Sequence, residues 1–329
     1  MPDKPTTWVL AGATATGKTA VAQVLAEQFG CTILSSDAML VYRGMDIGTA
    51  KPTPLERGRV PYFGIDLVSP SEPFSTGLWL NSARSSFRAA TTGPNAFCGI
   101  SADTPFPQGG LIVVGGTGLY IKALISGFDS EEADPALRAG WQALFAREGL
   151  TALRQALAAR SPDALATLSD PANPRRLIRA LEHLDARGSL PEQWKKQNSP
   201  SVPIAVLRLP REQLHARIEQ RVVNNMFRHG LVDEVRALRQ TYPVWSATAS
   251  QAIGYAETCG LLNGTLTVRE ATERIVIRTR QLAKRQETWF RHQTQAVWID
   301  IDEKDPPALI AKRVLKIWRH YGPTPIQFS

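Results

Sequence analysis

The stretch TWVLAGATATGKT at residues 7–19 decides the fold that we expect this chain to adopt. Its first half is a short apolar run, typical of a buried β-strand, and its second half fits the phosphate-binding loop pattern GxxxxGK(S/T). After Lys18, apolar residues recur at helical spacing as far as Phe29. The order strand, glycine-rich loop and helix brings loop N–H groups and a helix N-terminus together around phosphate oxygens. The sequence therefore predicts a phosphate site, called here the P-loop.

The P-loop pattern assigns roles to eight residues. Lys18 is expected to reach the outer phosphate oxygens, and the Thr19 hydroxyl is expected to bind Mg²⁺. Such a loop binds a diphosphate or the tail of a triphosphate equally well, so it leaves open whether phosphorus or carbon is attacked. The predicted diphosphate-binding residues are Gly12, Ala13, Thr14, Ala15, Thr16, Gly17, Lys18 and Thr19.

Further apolar runs predict a parallel β-sheet. Continuous apolar runs that alternate with helical segments are typical of strands covered by helices on both faces. We therefore predict an α/β fold, a P-loop NTPase-like parallel sheet flanked by helices. The predicted strands after the first are residues 31–35, 111–114, 204–207 and 296–299.

Residues 129–200 interrupt this alternation. They are rich in Ala and Arg, and their apolar residues recur at helical spacing without a convincing strand. We predict that they form an inserted all-helical domain, and that residues 1–128 and 201–329 form the P-loop core. Residues 91–110 are rich in Gly and Pro and are predicted to be an exposed loop.

The charge of the chain is unevenly distributed. The net charge is +8, and residues 201–329 hold 19 Lys and Arg against 12 Asp and Glu. Residues 269–291 contain seven basic residues, with Trp289 and Phe290 near the end of the segment. Phosphate contact and base stacking use these residue types, which indicates a polyanionic partner. A solvated charged helix face is the alternative.

The composition excludes several other classes of protein. With 43% hydrophobic and 21% charged residues, it is typical of a globular protein rather than a disordered or fibrous one. The sequence has no run of eighteen apolar residues and no signal-like N-terminus, so we expect a cytosolic protein. The three cysteines and five histidines show no metal-ligand spacing.

Two polar positions follow predicted strands. Asp37 comes after the second strand, at the edge where ligands of open α/β sheets bind. It could act as a general base, bind Mg²⁺ through water, or simply cap a loop. Gly115-Gly116-Thr117-Gly118, called here the glycine turn, follows the third strand at the same edge.

Taken together and in this order, these segments resemble the tRNA dimethylallyltransferases. Members of that family transfer an isopentenyl-type group to the exocyclic amine of adenine 37, beside the anticodon. The resemblance implies that the donor is dimethylallyl diphosphate, the acceptor is tRNA and the cofactor is Mg²⁺. The matching stretches are GATATGKT at 12–19, DAMLVYRGMDIGTAKP at 37–52, VGGTGLY at 114–120, ADPALR at 133–138, NPRRLIRALE at 173–182, QAIGY at 251–255 and RTRQLAKRQETWFR at 278–291.

The resemblance also implies roles for single residues. Asp37 matches the general base of the family, with Lys18 and Thr117 as further catalytic residues, and Thr19 and Asp37 would hold Mg²⁺. The family usually acts as a monomer. The residues implied in tRNA binding are Asp37, Ala38, Met39, Leu40, Thr117, Arg138, Arg175, Arg176, Leu177, Ile178, Arg179, Arg280, Lys284, Arg285 and Trp289.

The chain departs from the family pattern near Asp37. Ala38 stands where many members have Ser, and Leu40 stands where some have Gln. Tyr62-Phe63 replaces a common His-His pair. Since the P-loop lysine and Asp37 are present, we still predict an active enzyme.

Two other functions remain open from the sequence. The P-loop fits a small-molecule kinase that uses ATP equally well. A nucleotide-regulated RNA-binding protein without transfer chemistry would also combine a P-loop with a basic segment.

Overall fold

The computed structural model describes residues 5–92, 109–127, 134–168, 170–190 and 202–327. Within these residues the strands are β1 Thr7–Gly12, β2 Thr32–Ser35, β3 Tyr62–Phe63, β4 Leu111–Gly115, β5 Pro203–Arg208 and β6 Gln295–Asp300. They form one sheet in the order β3-β2-β4-β1-β5-β6. Each neighbouring pair is parallel, which confirms the predicted α/β class.

Helices flank the sheet and form most of the rest of the described chain. A π-helical turn, Arg221–Phe227, continues directly from the eighth helix. The α-helices are α1 Lys18–Phe29, α2 Pro54–Arg57, α3 Thr76–Thr92, α4 Gly118–Ser126, α5 Pro135–Arg160, α6 Pro162–Thr167, α7 Pro174–Arg187, α8 Arg211–Gln220, α9 Leu231–Thr241, α10 Tyr255–Leu262, α11 Val268–Gln293 and α12 Pro307–Tyr321.

The chain divides into two compact units. One comprises residues 1–128 and 201–329 and contains the sheet, and the other comprises residues 129–200. The second unit contains α5, α6 and α7, with α5 interrupted at Gly149, where φ is 76°. Its core is a small apolar cluster of its own that includes Leu153, Leu157 and Leu181, so this unit buries apolar surface independently of the sheet.

Burial explains why the central strands are continuously apolar. Every residue of β1 and β4 is buried, because helices cover the sheet. The aromatic pair Trp8 and Trp318 shows how α12 docks, since the two rings stack with centroids 5.3 Å apart. The Trp318 indole N–H also donates to the Val9 carbonyl at 3.3 Å.

The register of the sheet places three loops side by side. Leu10 of β1 is paired with Val114 of β4, and Val114 is paired with Ser35 of β2. The carboxyl ends of these strands therefore lie at one edge, where the P-loop, the segment that contains Asp37 and the glycine turn begin. In open α/β sheets, ligands bind in the crevice at this edge.

Some elements differ from the prediction. The two-residue edge strand β3 and the helix α3 were not expected, and α3 includes Thr91 and Thr92 of the predicted loop. Most of that loop, residues 93–108, lies outside the described residues. No helix in the described part of the chain is long and apolar enough to cross a membrane.

Candidate active site

The P-loop is shaped by contacts within itself. The Ala13 carbonyl accepts hydrogen bonds from the Thr16 hydroxyl at 2.9 Å and from Lys18 Nζ at 3.2 Å. The backbone turns through left-handed conformations at Ala15 and Gly17, with φ of 65° and 82°. Gly17 offers no side-chain cap to α1, and the first N–H groups of a helix have no acceptor within it. The N-terminus of α1 is therefore suited to bind an anion.

This loop borders a cleft of about 450 Å³. Lys18 and Thr19 line it from the P-loop, Asp37 from the loop after β2, and Arg217 and Arg221 from α8 and the π-helical turn. A volume of this size is typical of a small-molecule site. The cleft combines three cationic side chains with one carboxylate, an arrangement suited to a polyanionic substrate and a proton acceptor.

The charge of Lys18 is sensitive to its surroundings. Burial lowers the pKa of Lys18 to about 8, while the Asp37 carboxylate opposes this shift and the Arg221 guanidinium adds to it. A bound diphosphate would favour the charged ammonium and raise the pKa again. The protonation state of Lys18 and the binding of an anion are therefore linked.

We predict a pH-dependent affinity for the diphosphate donor. As pH rises through about 8, free Lys18 loses its proton, so donor affinity should fall by up to about tenfold per pH unit. The decline in affinity ends at pH values above the higher pKa that Lys18 has in the complex with the donor. Donor affinity measured by titration from pH 6.5 to 10 should show this decline. In Lys18→Arg, which stays protonated, the decline should vanish; an identical decline in that variant contradicts the prediction.

Asp37 is fixed by its own loop, residues 36–40, called here the Asp37 loop. Its Oδ1 accepts a hydrogen bond from the Met39 N–H at 2.9 Å, and its backbone N–H donates to the Ser35 hydroxyl at 3.3 Å. The side chain is half-buried and lines the cleft. The carboxylate therefore faces the same cleft as Lys18, the lysine of the P-loop.

Thr117 holds the Asp37 loop in place. Its hydroxyl accepts a hydrogen bond from the Ala38 N–H at 3.0 Å, and its own N–H donates to the Ser36 carbonyl at 3.0 Å. These contacts give Thr117 a positioning role next to Asp37. Its predicted contact with substrate stays a prediction.

Two arginines at the cleft were not predicted from the sequence. Arg221 Nη1 donates to the Thr14 hydroxyl at 3.3 Å, and its buried Nε has no hydrogen-bond partner among the described residues. Burial lowers the pKa of this guanidinium, and Asp37 opposes the shift. Buried donors are normally hydrogen-bonded, so this Nε–H is available to a ligand or a water molecule that enters the cleft. Arg217 lies one helical turn earlier and also lines the cleft.

A buried lysine orders the loop that forms another wall of the cleft. Lys51 Nζ lies 2.6 Å from Asp46 Oδ1 and 2.6 Å from Asp66 Oδ1, and it donates to the Tyr42 carbonyl at 2.7 Å. Thr49 of the same loop lines the cleft. The stretch at residues 37–52, one of those that carry the family resemblance, therefore includes residues that shape the cleft.

The predicted tRNA-binding residues of the helical unit have different environments. Arg138 makes a two-pronged contact with Glu182 at 2.7 and 3.2 Å, and Arg179 also pairs with Glu182 at 3.1 Å. Arg175 and Arg176 are exposed. Basic side chains on α7 are therefore exposed to solvent. Their contact with tRNA stays a prediction.

Two other predicted tRNA-binding residues on α7 are buried. Leu177 and Ile178 lie in the apolar core of the helical unit. They are on the inner face of α7, because apolar residues at helical spacing pack against the neighbouring helix. Both therefore have a packing role, and their predicted contact with tRNA stays a prediction.

The remaining predicted tRNA-binding residues lie in the unit that contains the sheet. Lys284 and Arg285 of α11 are exposed, and Arg280 pairs with Glu219 at 2.9 Å. The ring of Trp289 is half-buried and lies against Gly118, so it has a packing role.

Three more of the predicted tRNA-binding residues lie in the Asp37 loop. Ala38 and Met39 are half-buried against the core, and Leu40 is buried at the wall of the cleft. Leu40 is therefore placed to contact a ligand in the cleft, and its predicted contact with tRNA stays a prediction.

Fold and site together define a P-loop α/β protein whose phosphate site faces a carboxylate. Comparison with protein families narrows this class: the family described as IPP transferase matches residues 40–293, and the one described as Isopentenyl transferase matches residues 5–60. The chain belongs to the IPP transferase family. This assignment disfavours the small-molecule kinase and the RNA-binding protein without transfer chemistry.

Two relatives are similar in sequence to this chain over most of their length. The chain is 39% identical over 320 residues to tRNA dimethylallyltransferase 2 of Syntrophus aciditrophicus, covering 95% of this chain and 98% of the relative. It is 42% identical over 289 residues to the tRNA dimethylallyltransferase of Thermus thermophilus, covering 87% and 89%.

A solved structure also matches over nearly the full length. The tRNA isopentenylpyrophosphate transferase of Bacillus halodurans is 32% identical, with a TM-score of 0.59 and coverage of 95% of this chain and 94% of that one. The match therefore includes both compact units of the chain.

Proposed function

We propose that this protein transfers a dimethylallyl group from dimethylallyl diphosphate to N6 of adenine 37 in the anticodon loop of tRNAs, releasing diphosphate. The observation that carries the proposal is the cleft, where the P-loop lysine and two arginines line the same space as Asp37. The names of the relatives supply the tRNA acceptor and the dimethylallyl group. We expect a monomer that acts in the cytosol.

The reaction requires a proton acceptor and a stabilised leaving group. The N6 amine of adenine forms a bond to C1 of the donor, and the C1–O bond breaks with its electron pair going to diphosphate. Asp37 takes the proton that N6 loses, which helps because the lone pair of this amine is delocalised into the ring. Lys18, Arg221 and the N–H groups of the P-loop stabilise the charge that develops on the diphosphate.

The residues present fit Mg²⁺ bound together with the diphosphate. The Thr19 hydroxyl and the Asp37 carboxylate both line the cleft, and hard oxygen ligands are those that Mg²⁺ prefers. Mg²⁺ usually keeps several waters and binds through one or two protein ligands plus phosphate oxygens. Bound there, it would neutralise part of the diphosphate charge.

The acceptor base must leave its stack to reach a half-buried carboxylate. Enzymes that modify a base in a loop turn it out and hold it by stacking and by contacts to its edge. We expect the basic residues of α11 that are exposed to contact the RNA backbone while this happens.

One assay tests donor, acceptor and reaction together. The protein is incubated with an anticodon stem-loop that carries adenine 36 and adenine 37, Mg²⁺ and dimethylallyl diphosphate, and the RNA is then weighed by mass spectrometry. We expect a gain of one dimethylallyl group, absent with ATP as donor and absent when guanine replaces adenine 37. If neither the stem-loop with adenine 37 nor intact tRNA gains this mass, the proposal is overturned.

The exposed basic face of α11 leads to a prediction about salt dependence. Replacing both Lys284 and Arg285 with Ala should weaken tRNA binding. The slope of log K for tRNA binding against log salt concentration should become shallower by about 1.4–1.8, since binding with two fewer phosphate contacts releases fewer counterions. The matched control is Lys312→Ala with Lys316→Ala, two exposed lysines on α12. Equal changes of slope in the two double variants would refute a specific role for α11.

A further inference from the structure

Gln286 of α11 joins two loops of the active site. Its Oε1 accepts a hydrogen bond from the Thr14 N–H of the P-loop at 2.8 Å. Its Nε2 donates to the Gly116 carbonyl of the glycine turn at 3.0 Å. One amide thus satisfies a donor on the first loop and an acceptor on the second, which neither a carboxylate nor an apolar side chain can do.

The glycine turn is built to receive α11. A Cβ on Gly116 would lie 2.3 Å from Gln286 Nε2, and a Cβ on Gly118 would lie 2.0 Å from the Trp289 ring. Side chains larger than glycine would therefore push the helix away. Phe290, fully buried next to Trp289, anchors the same part of α11 in the core, so Gln286 projects from a fixed element.

The glycine turn links the position of Gln286 to that of Asp37. Thr117 follows Gly116 directly, and its N–H and hydroxyl bind the Ser36 carbonyl and the Ala38 N–H on either side of Asp37. Gln286 is therefore linked to Asp37 through one turn and two hydrogen bonds. On its other side it is linked to the P-loop through Thr14.

We propose that Gln286 is a positioning residue that fixes the distance between the diphosphate loop and the Asp37 loop during transfer. The inference rests on the function proposed above, because that reaction needs the donor carbon and the proton acceptor in one geometry. A misplacement of about 1 Å can cost on the order of 100-fold in rate. Gln286 also takes up the Thr14 N–H, which leaves the amides nearer α1 for the diphosphate.

Gln286→Met tests this role, since it keeps the length of the side chain and removes both hydrogen bonds. We expect kcat to fall about 10- to 100-fold, while the KM for dimethylallyl diphosphate and the affinity for the stem-loop change by less than about threefold. Gln286→Glu keeps the bond from Thr14 but places a negative charge beside the phosphate site. That variant should lower kcat and also raise the donor KM.

Gln281→Met is the matched control, because Gln281 is an exposed glutamine on the same helix, and it should keep the wild-type kcat. Rates are divided by the fraction of molecules that bind donor, which removes any loss from misfolding. A kcat of Gln286→Met within threefold of wild type after this correction overturns the positioning role, as does a loss confined to KM. An inactive wild-type protein would refute the proposed function instead, so the two failures are distinguishable.

Discussion

Replacing Asp37 with asparagine should lower kcat by about 10²- to 10⁴-fold, the usual contribution of a general base. The substitution preserves shape, since an asparagine Oδ1 can still accept the hydrogen bond from the Met39 N–H. It removes the proton acceptor at the point where N6 of adenine must lose a proton. Binding of the tRNA should persist, because backbone contacts dominate RNA affinity. Single-turnover rates with saturating donor and stem-loop, together with a binding titration, measure both quantities.

A control at an exposed carboxylate separates catalysis from charge. Asp233→Asn removes one negative charge from α9, where the Asp233 side chain is exposed and contacts Arg236. We expect this variant to react within about threefold of the wild type, because an exposed charge away from the cleft is screened by solvent. An unchanged rate in Asp37→Asn would remove Asp37 from the role of base.

The sheet and the P-loop could be predicted because their sequence signals are local. Apolar runs of four to six residues mark strands that are buried on both faces, and the P-loop sits between one such run and a helix. The edge strand β3 has only Tyr62 and Phe63, both half-buried, so it lacks the apolar run that marks the other strands. Its pairing with β2 is set by tertiary contacts instead.

The cleft was predicted only in part, because some of its side chains come from distant segments. Arg221 begins a π-helical turn that prolongs α8, whereas the sequence showed only Leu214, Ile218, Val222 and Met226 at helical spacing. All four are buried, as that spacing implies. Arginines between them resemble an ordinary solvated face, and only the fold reveals that Arg217 and Arg221 line the cleft.

Gln286 shows a second limit of sequence reasoning. It lies in the stretch at residues 278–291, where basic residues indicate a nucleic-acid surface. Its partners Thr14 and Gly116 are 272 and 170 residues away in the chain. No local pattern marks such a contact, because hydrogen bonds of this kind depend on how the helix docks.

Replacing Arg221 with methionine should reduce kcat/KM for dimethylallyl diphosphate by about 10²- to 10³-fold, the range observed when a donor to a developing anion is removed. Arg221 is buried beside the P-loop, contacts Thr14 and has an Nε without a partner among the described residues. Its electrostatic contact with a diphosphate should therefore be strong, since a site that excludes water screens charges weakly. Steady-state kinetics with the donor varied at saturating stem-loop measures the loss.

Two companion variants decide how such a loss is interpreted. Arg221→Lys keeps a charge but not the planar fork of donors, so it should recover only part of the lost kcat/KM. Arg211→Met removes one exposed positive charge from the start of α8 and should leave the donor KM within about twofold, because exposed charges are screened. Equal losses in Arg211→Met and Arg221→Met would assign the effect to net charge. A loss confined to Arg221→Met, in molecules with an unchanged melting temperature, would locate leaving-group stabilisation at this guanidinium.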